Sequence, residues 1–135
     1  MPMRIVGCFL ECDGKFVILL RHSHKPDGDT WGLPGGKVAD GETDEAAIIR
    51  ELAEETGYAA QPAEVERIGQ YDFISSRNEP YEYITYRVRA RQLPVIRLET
   101  AAHATYQWIT PKACYAKSDL IADFHTLLKL VGYIA

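Results

Sequence analysis

Gly36–Tyr58 reads GKVADGETDEAAIIRELAEETGY, and its punctuation marks out one helix. Thr43 is a side-chain cap, and Asp44 and Glu45 put negative charge in the first turn, where the helix dipole favours it. Gly57 supplies a residue able to take left-handed dihedrals just past the end. At about 100° per residue, Ala46, Ile49, Leu52, Ala53 and Thr56 gather on one side as the expected core face. Glu51, Glu54 and Glu55 gather on the other. Like charges at these separations cost about 0.2–0.5 kcal/mol per pair, and they sit where the helix end is already negative. A local rule broken inside a well-formed helix points to function. A divalent cation removes the conflict, and hard oxygen donors suit Mg²⁺ or Mn²⁺. The alternative meaning of an isolated acidic cluster is a solvated charged face.

Spacing separates the two readings. Gly36, Glu42 and the run Arg50-Glu51-Leu52-Ala53-Glu54-Glu55-Thr56-Gly57 stand at fixed intervals, preceded by Trp31-Gly32-Leu33-Pro34-Gly35. Residues 36–58 in this pattern resemble the signature box of the Nudix hydrolases, which cleave nucleoside diphosphates linked to another group. The resemblance implies one domain over residues 1–135, of α+β class, with a mixed β-sheet sandwiched between α-helices. It implies metal ligation by Glu54, Glu55 and the backbone carbonyl of Gly35, with Glu51 as a third ligand or the base that activates water. Arg50 would orient the carboxylates, and Glu42 would steady the loop or Arg50, or bind an extra ion. Gly57 is structural support. Arg21, Gly36 and Lys37 are the candidate substrate-binding residues, Arg21 as a phosphate contact. The implied cofactor is Mg²⁺ or Mn²⁺, and the implied partner is a small-molecule nucleotide.

The remaining composition sets bounds. A chain of 135 residues with 47% hydrophobic and 25% charged residues is ordinary for one globular domain. A net charge of −4 argues against a nucleic-acid polymer as partner, since backbone binding needs a basic surface. No apolar run approaches the roughly 20 residues of a membrane span, and the start lacks the basic-then-apolar layout of a signal peptide. Cys8, Cys12 and Cys114 are odd in number and without metal-site spacing, so they are expected to be buried and reduced. A cytoplasmic location follows from these features.

Along the chain, strands are expected over residues 4–12 and 15–21, joined by a turn at Asp13-Gly14. A second hairpin is expected from residues 65–74 and 81–91, and a short strand over 105–109. Thr110-Pro111 starts a helical turn, and Ser118 is expected to cap a last helix with the stripe Leu120, Phe124, Leu127, Leu128 and Val131. Trp31, Tyr71, Phe73, Tyr81, Tyr83 and Tyr86 are candidates for stacking on a base, each against a core reading. His22, His24 and His103, near loops, are candidates to touch phosphate, each against the reading as an ordinary surface residue, which is favoured.

One departure bears on catalysis. Relatives of MutT type carry a glutamate just before the strand that holds the late tryptophan, and here Ala102 precedes His103. Glu99 is the nearest carboxylate and is the alternative in its place, with Glu51 favoured as base. The proline expected downstream in ADP-ribose hydrolases is absent, residues 72–75 reading Asp-Phe-Ile-Ser. The default substrate is thus a nucleoside triphosphate, intact or damaged, giving a nucleoside monophosphate and pyrophosphate. ADP-ribose or NDP-sugar cleavage is the alternative within the enzyme class, and it would go with a homodimer. A non-catalytic nucleotide-binding module is the alternative of another class.

Overall fold

The computed structural model describes residues 2–135. Near-continuous apolar runs, buried on both faces, build Met3–Cys12 (β1) and Lys15–Arg21 (β2), which turn at Asp13 and Gly14. Both turn residues have positive φ, 52° and 77°, as a two-residue hairpin turn of this hand requires. The strands pair only beside that turn, at Glu11 with Phe16 and Cys12 with Lys15. Beyond it they part, and the chain returns into the gap. Trp31–Gly32 (β3) pairs with β2, and Gly35–Lys37 (β4) pairs with β1. A side chain on Gly35 would come within 2.0 Å of the Val6 carbonyl oxygen, so only glycine lets β4 lie this close. Strands this short have no period-2 pattern, which hid them in the sequence.

The second hairpin, Glu66–Ile74 (β5) and Pro80–Arg89 (β6), forms as expected, and His103–Ile109 (β7) starts two residues before its expected place. β6 lies parallel to β1 and antiparallel to β5, while β7 pairs with the outer side of β2. The result is one mixed seven-stranded sheet. Asp44–Thr56 (α1) covers one face, where Ile48 and Leu52 join Val6, Cys8, Ile84 and Val88. Pro111–Tyr115 (α2) and Phe124–Leu130 (α3) cover the other, where Phe124, Leu127 and Leu128 meet Phe9, Phe16 and Ile18. This is the expected α+β sandwich.

Two expectations are corrected. The buried face of α1 is Ala47, Ile48, Leu52 and Thr56, with Ala46 and Ala53 exposed. Alanines bury too little area to choose a face, and the pull of Ile48 and Leu52 decides it. Glu51 and Glu55 share that inward side, so they point toward the sheet, and only Glu54 stands in solvent. Ser118 does not cap the last helix. Leu120 first bridges to Trp31, with Ile121 N donating to Trp31 O at 2.8 Å. α3 then begins after Asp123, which takes the left-handed φ of 72°. The caps of α1 are as expected: Thr43 accepts from Ala46 N, and Gly57 has φ 78°. Cys8, Cys12 and Cys114 are buried free thiols. Among the described residues no helix is long and apolar enough to cross a membrane.

Candidate active site

The site forms where α1 faces the wedge between β1 and β2. Gly35 N donates to Glu55 Oε1 at 2.7 Å. On Gly36, the position of an absent Cβ lies 2.5 Å from Glu51 Oε1. Two adjacent glycines thus make room for two carboxylates one helical turn apart. Neither carboxylate has left the protein interior entirely, and each is affected by it. Burial raises Glu51, opposed by Arg50. Burial pushes Glu55 up to about 8, with the Glu51 and Glu99 charges adding to it and the Gly35 amide and Arg21 opposing it.

Arg50 organises the outer part. Its Nε donates to Glu42 Oε2 at 2.7 Å and its Nη2 to Glu42 Oε1 at 2.9 Å, a two-pronged pair. Its Nη1 donates to Glu51 at 3.0 Å and to Glu54 at 3.3 Å, and Nη2 also reaches the Lys37 carbonyl. Glu42 closes the loop by accepting from Ala39 N, and with Arg50 beside it the Glu42 carboxyl is held down at about 2. The expected roles of Arg50 as orienter and Glu42 as loop support therefore have their contacts. Glu54 is turned toward Arg50, and among the described residues no three acidic, histidine or cysteine side chains converge on one point. Two inward carboxylates of hard oxygen character still fit Mg²⁺, which commonly takes one or two carboxylates and completes its shell with water and substrate phosphates.

A cavity of about 260 Å³ opens from this acidic corner. It is lined by Glu55, Gly35, Gly36, Arg21 and His103, and by Phe73, Tyr81, Tyr83 and Asp123. Arg21 is where a phosphate contact was expected, with its Nε donating to Pro26 O at 2.6 Å. Lys37 is exposed on β4 and does not line the cavity. Of the aromatic candidates, Phe73, Tyr81 and Tyr83 line it, whereas Trp31 and Tyr86 belong to the two cores. Tyr71 reaches Leu130 O instead. Glu99 lies beside the C-terminal turn of α1, where its N donates to Glu55 O, and its carboxylate accepts from Ala101 N and Ala102 N.

Sequence reasoning missed two cavity residues. His103 is 6% exposed, not a surface histidine; its position at the start of a strand whose partner is Arg21 gave no local signal. Asp123 accepts from Tyr81 Oη at 3.0 Å, both residues lining the cavity, and nothing in an isolated aspartate marks it. Asp27 accepts from Ser76 Oγ at 2.8 Å, so the loop after β2 touches the β5–β6 loop at the cavity's edge.

Residues 1–129 match the NUDIX domain family. The chain is 35% identical over 104 residues to a Bacillus subtilis protein described as "Putative 8-oxo-dGTP diphosphatase", covering 73% of this chain and 66% of that one. It is 26% identical over 112 residues to the CTP pyrophosphohydrolase of Escherichia coli, covering 82% and 77%. In structure it is similar to the MutT protein of Methanosarcina mazei, with a TM-score of 0.82 at 23% identity over 96% of this chain and 93% of that one.

Proposed function

The chain belongs to the NUDIX domain family as a Nudix hydrolase, and from that premise we propose that it splits a nucleoside triphosphate into a nucleoside monophosphate and pyrophosphate with the help of Mg²⁺ or Mn²⁺. The observation that carries this reading is the meeting of Glu55 with Gly35 and of Glu51 with Gly36 beside a cavity that Glu55, both glycines and three aromatic side chains line. Phosphates belong at the acidic corner and the base among Phe73, Tyr81 and Tyr83, which offer π-faces for stacking.

Glu55 and the Gly35 carbonyl would hold the ion, with Glu54 joining them on release from Arg50, which leaves Glu51 as the base. When bound, such an ion neutralises phosphate charge and lowers the pKa of a coordinated water toward neutrality. Glu51 accepts the proton of the attacking water, its carboxylate held in place by Arg50 Nη1 at 3.0 Å. Water oxygen bonds to phosphorus, the anhydride P–O bond breaks, and the electron pair leaves with the departing phosphate. Arg50 is itself fixed by Glu42, so the geometry at Glu51 depends on a residue outside the cavity. Gly36 admits Glu51, and the exposed Lys37 is left to meet charge at the rim.

The relatives' names support a triphosphate: 8-oxo-dGTP in one and CTP in the other. A phosphate-release screen with Mg²⁺ or Mn²⁺ tests the reading, over nucleoside triphosphates, 8-oxo-dGTP, ADP-ribose and NDP-sugars, with Glu55→Gln as blank. Turnover of a triphosphate above the blank supports it. Turnover of ADP-ribose or an NDP-sugar alone replaces the substrate class, and silence throughout favours a nucleotide-binding module.

A further inference from the structure

His103 begins β7 opposite Arg21 in β2, and it lines the cavity while only 6% exposed. Neither ring nitrogen makes a hydrogen bond to a described residue, and Nδ1 is sealed from solvent without a partner. A proton on Nδ1 would be a buried donor with no acceptor, which is costly. The tautomer with its proton on Nε2, the nitrogen left to the cavity, avoids that buried donor. Burial and the neighbouring Arg21 charge both hold the imidazole below its ordinary value, so the ring is neutral with one N–H to give.

Among the described residues that N–H has no acceptor. Glu55 is engaged by Gly35 N, and Glu99 accepts from Ala101 N and Ala102 N. Arg21 spends Nε on Pro26 O, and its terminal nitrogens make no hydrogen bond to a described residue. Two donor groups, one cationic and one neutral, thus share a cavity wall with no acceptor assigned to either. Buried polar groups are nearly always paired, and an oxygen-rich anion fits both at once.

We propose that His103 is a further substrate-contacting residue, forming with Arg21 an anion subsite in which Nε2–H donates to a phosphate oxygen of the substrate. This deepens the triphosphate reading above and rests on it for the identity of the phosphate. Inorganic pyrophosphate is the probe, titrated calorimetrically in Mg²⁺ into wild type, His103→Leu and His103→Gln. The glutamine amide places an N–H near the position of Nε2, whereas leucine fills the space without a donor. Leucine should weaken pyrophosphate binding by about tenfold or more, and glutamine should recover most of the loss at an unchanged melting temperature. Should His103→Leu not fold, His103→Asn serves in its place, because its shorter amide withdraws the donor.

Equal affinity in the wild-type and donor-less proteins overturns the inference, as does glutamine binding no better than leucine, or wild type that ignores pyrophosphate. Wild type that binds pyrophosphate through His103 but hydrolyses no triphosphate overturns the substrate reading and leaves the anion subsite standing.

Discussion

Glu55 Oε1 lies 2.7 Å from the backbone nitrogen of Gly35, which donates to it. That contact ties the last turn of α1 to β4, and it is a poor substitute for a full charge partner. One amide opposes burial and the charges of Glu51 and Glu99, and the carboxyl ends up at about 8. The fold therefore stores a carboxyl that a cation would relieve.

A consequence for stability follows without substrate. In metal-free protein the folded state keeps a proton on Glu55 up to about pH 8, whereas the unfolded chain loses it near about 4.3. Between those values the folded state binds more protons, so stability falls as pH rises. Glu55→Gln carries no such charge. Melting temperatures in EDTA should therefore favour Glu55→Gln over wild type increasingly from about pH 5 to about pH 8, and Mg²⁺ should close the gap by stabilising wild type. Parallel melting curves for the two proteins across that range would show that Glu55 is not held high.

Arg50 and Glu42 should govern the acid side. The guanidinium holds the Glu42 carboxyl at about 2, so on acidification the unfolded chain takes up the proton first. The stabilisation is complete above about pH 4.3 and is lost as pH falls toward about 2. Urea midpoints of wild type and Glu42→Gln should differ at neutral pH and draw together below about pH 4. Arg50→Lys should resemble Glu42→Gln, because an ammonium cannot reproduce the two-pronged contact. A gap that stays constant with pH would remove this pair from the acid response.

Gly35 and Gly36 should answer differently to the same methyl group. At Gly35 the new Cβ would lie 2.0 Å from the Val6 carbonyl oxygen, so backbone must move. At Gly36 it meets Glu51 Oε1 at 2.5 Å, the end of a side chain that can swing away. Gly35→Ala should cost about 1–3 kcal/mol of stability, as overpacking typically does. Gly36→Ala should unfold close to wild type and lose turnover, because the carboxylate that moves is the proposed base. Denaturant unfolding and initial rates on the two variants separate these outcomes, and equal stability losses would contradict the distinction.

Much of this arrangement was legible from residues 36–58, because caps and catalytic spacing are local. Thr43 and Gly57 bound α1 as read, and the long strands followed from apolar runs between turn signals and, in β6, from alternation. What failed was non-local. Which side of α1 is core depended on how Ile48 weighs against Ile49, Ala46 and Ala53, and on the sheet they meet. β3 and β4 exist because β1 and β2 part, which no window of sequence records. His103 acquires meaning only through Arg21, 82 positions earlier in the chain but its partner across the sheet.

Asp123 supplies the last prediction, and its backbone makes the test clean. Its φ of 72° is left-handed, a conformation asparagine tolerates as readily as aspartate. Asp123→Asn therefore changes hydrogen-bonding character with little backbone cost. The carboxylate only accepts, and one of its oxygens already receives Tyr81 Oη at 3.0 Å. Lining the cavity, it would select base edges that donate, whereas the amide can also give hydrogen bonds to a carbonyl edge. A site built on such pairing discriminates because a mismatched edge leaves buried groups unpaired. The ranking of kcat/KM across the four bases should therefore shift by about tenfold or more between the two proteins, while pyrophosphate binding stays unchanged. An unaltered ranking would take Asp123 out of base selection and leave Phe73, Tyr81 and Tyr83 to act by shape alone.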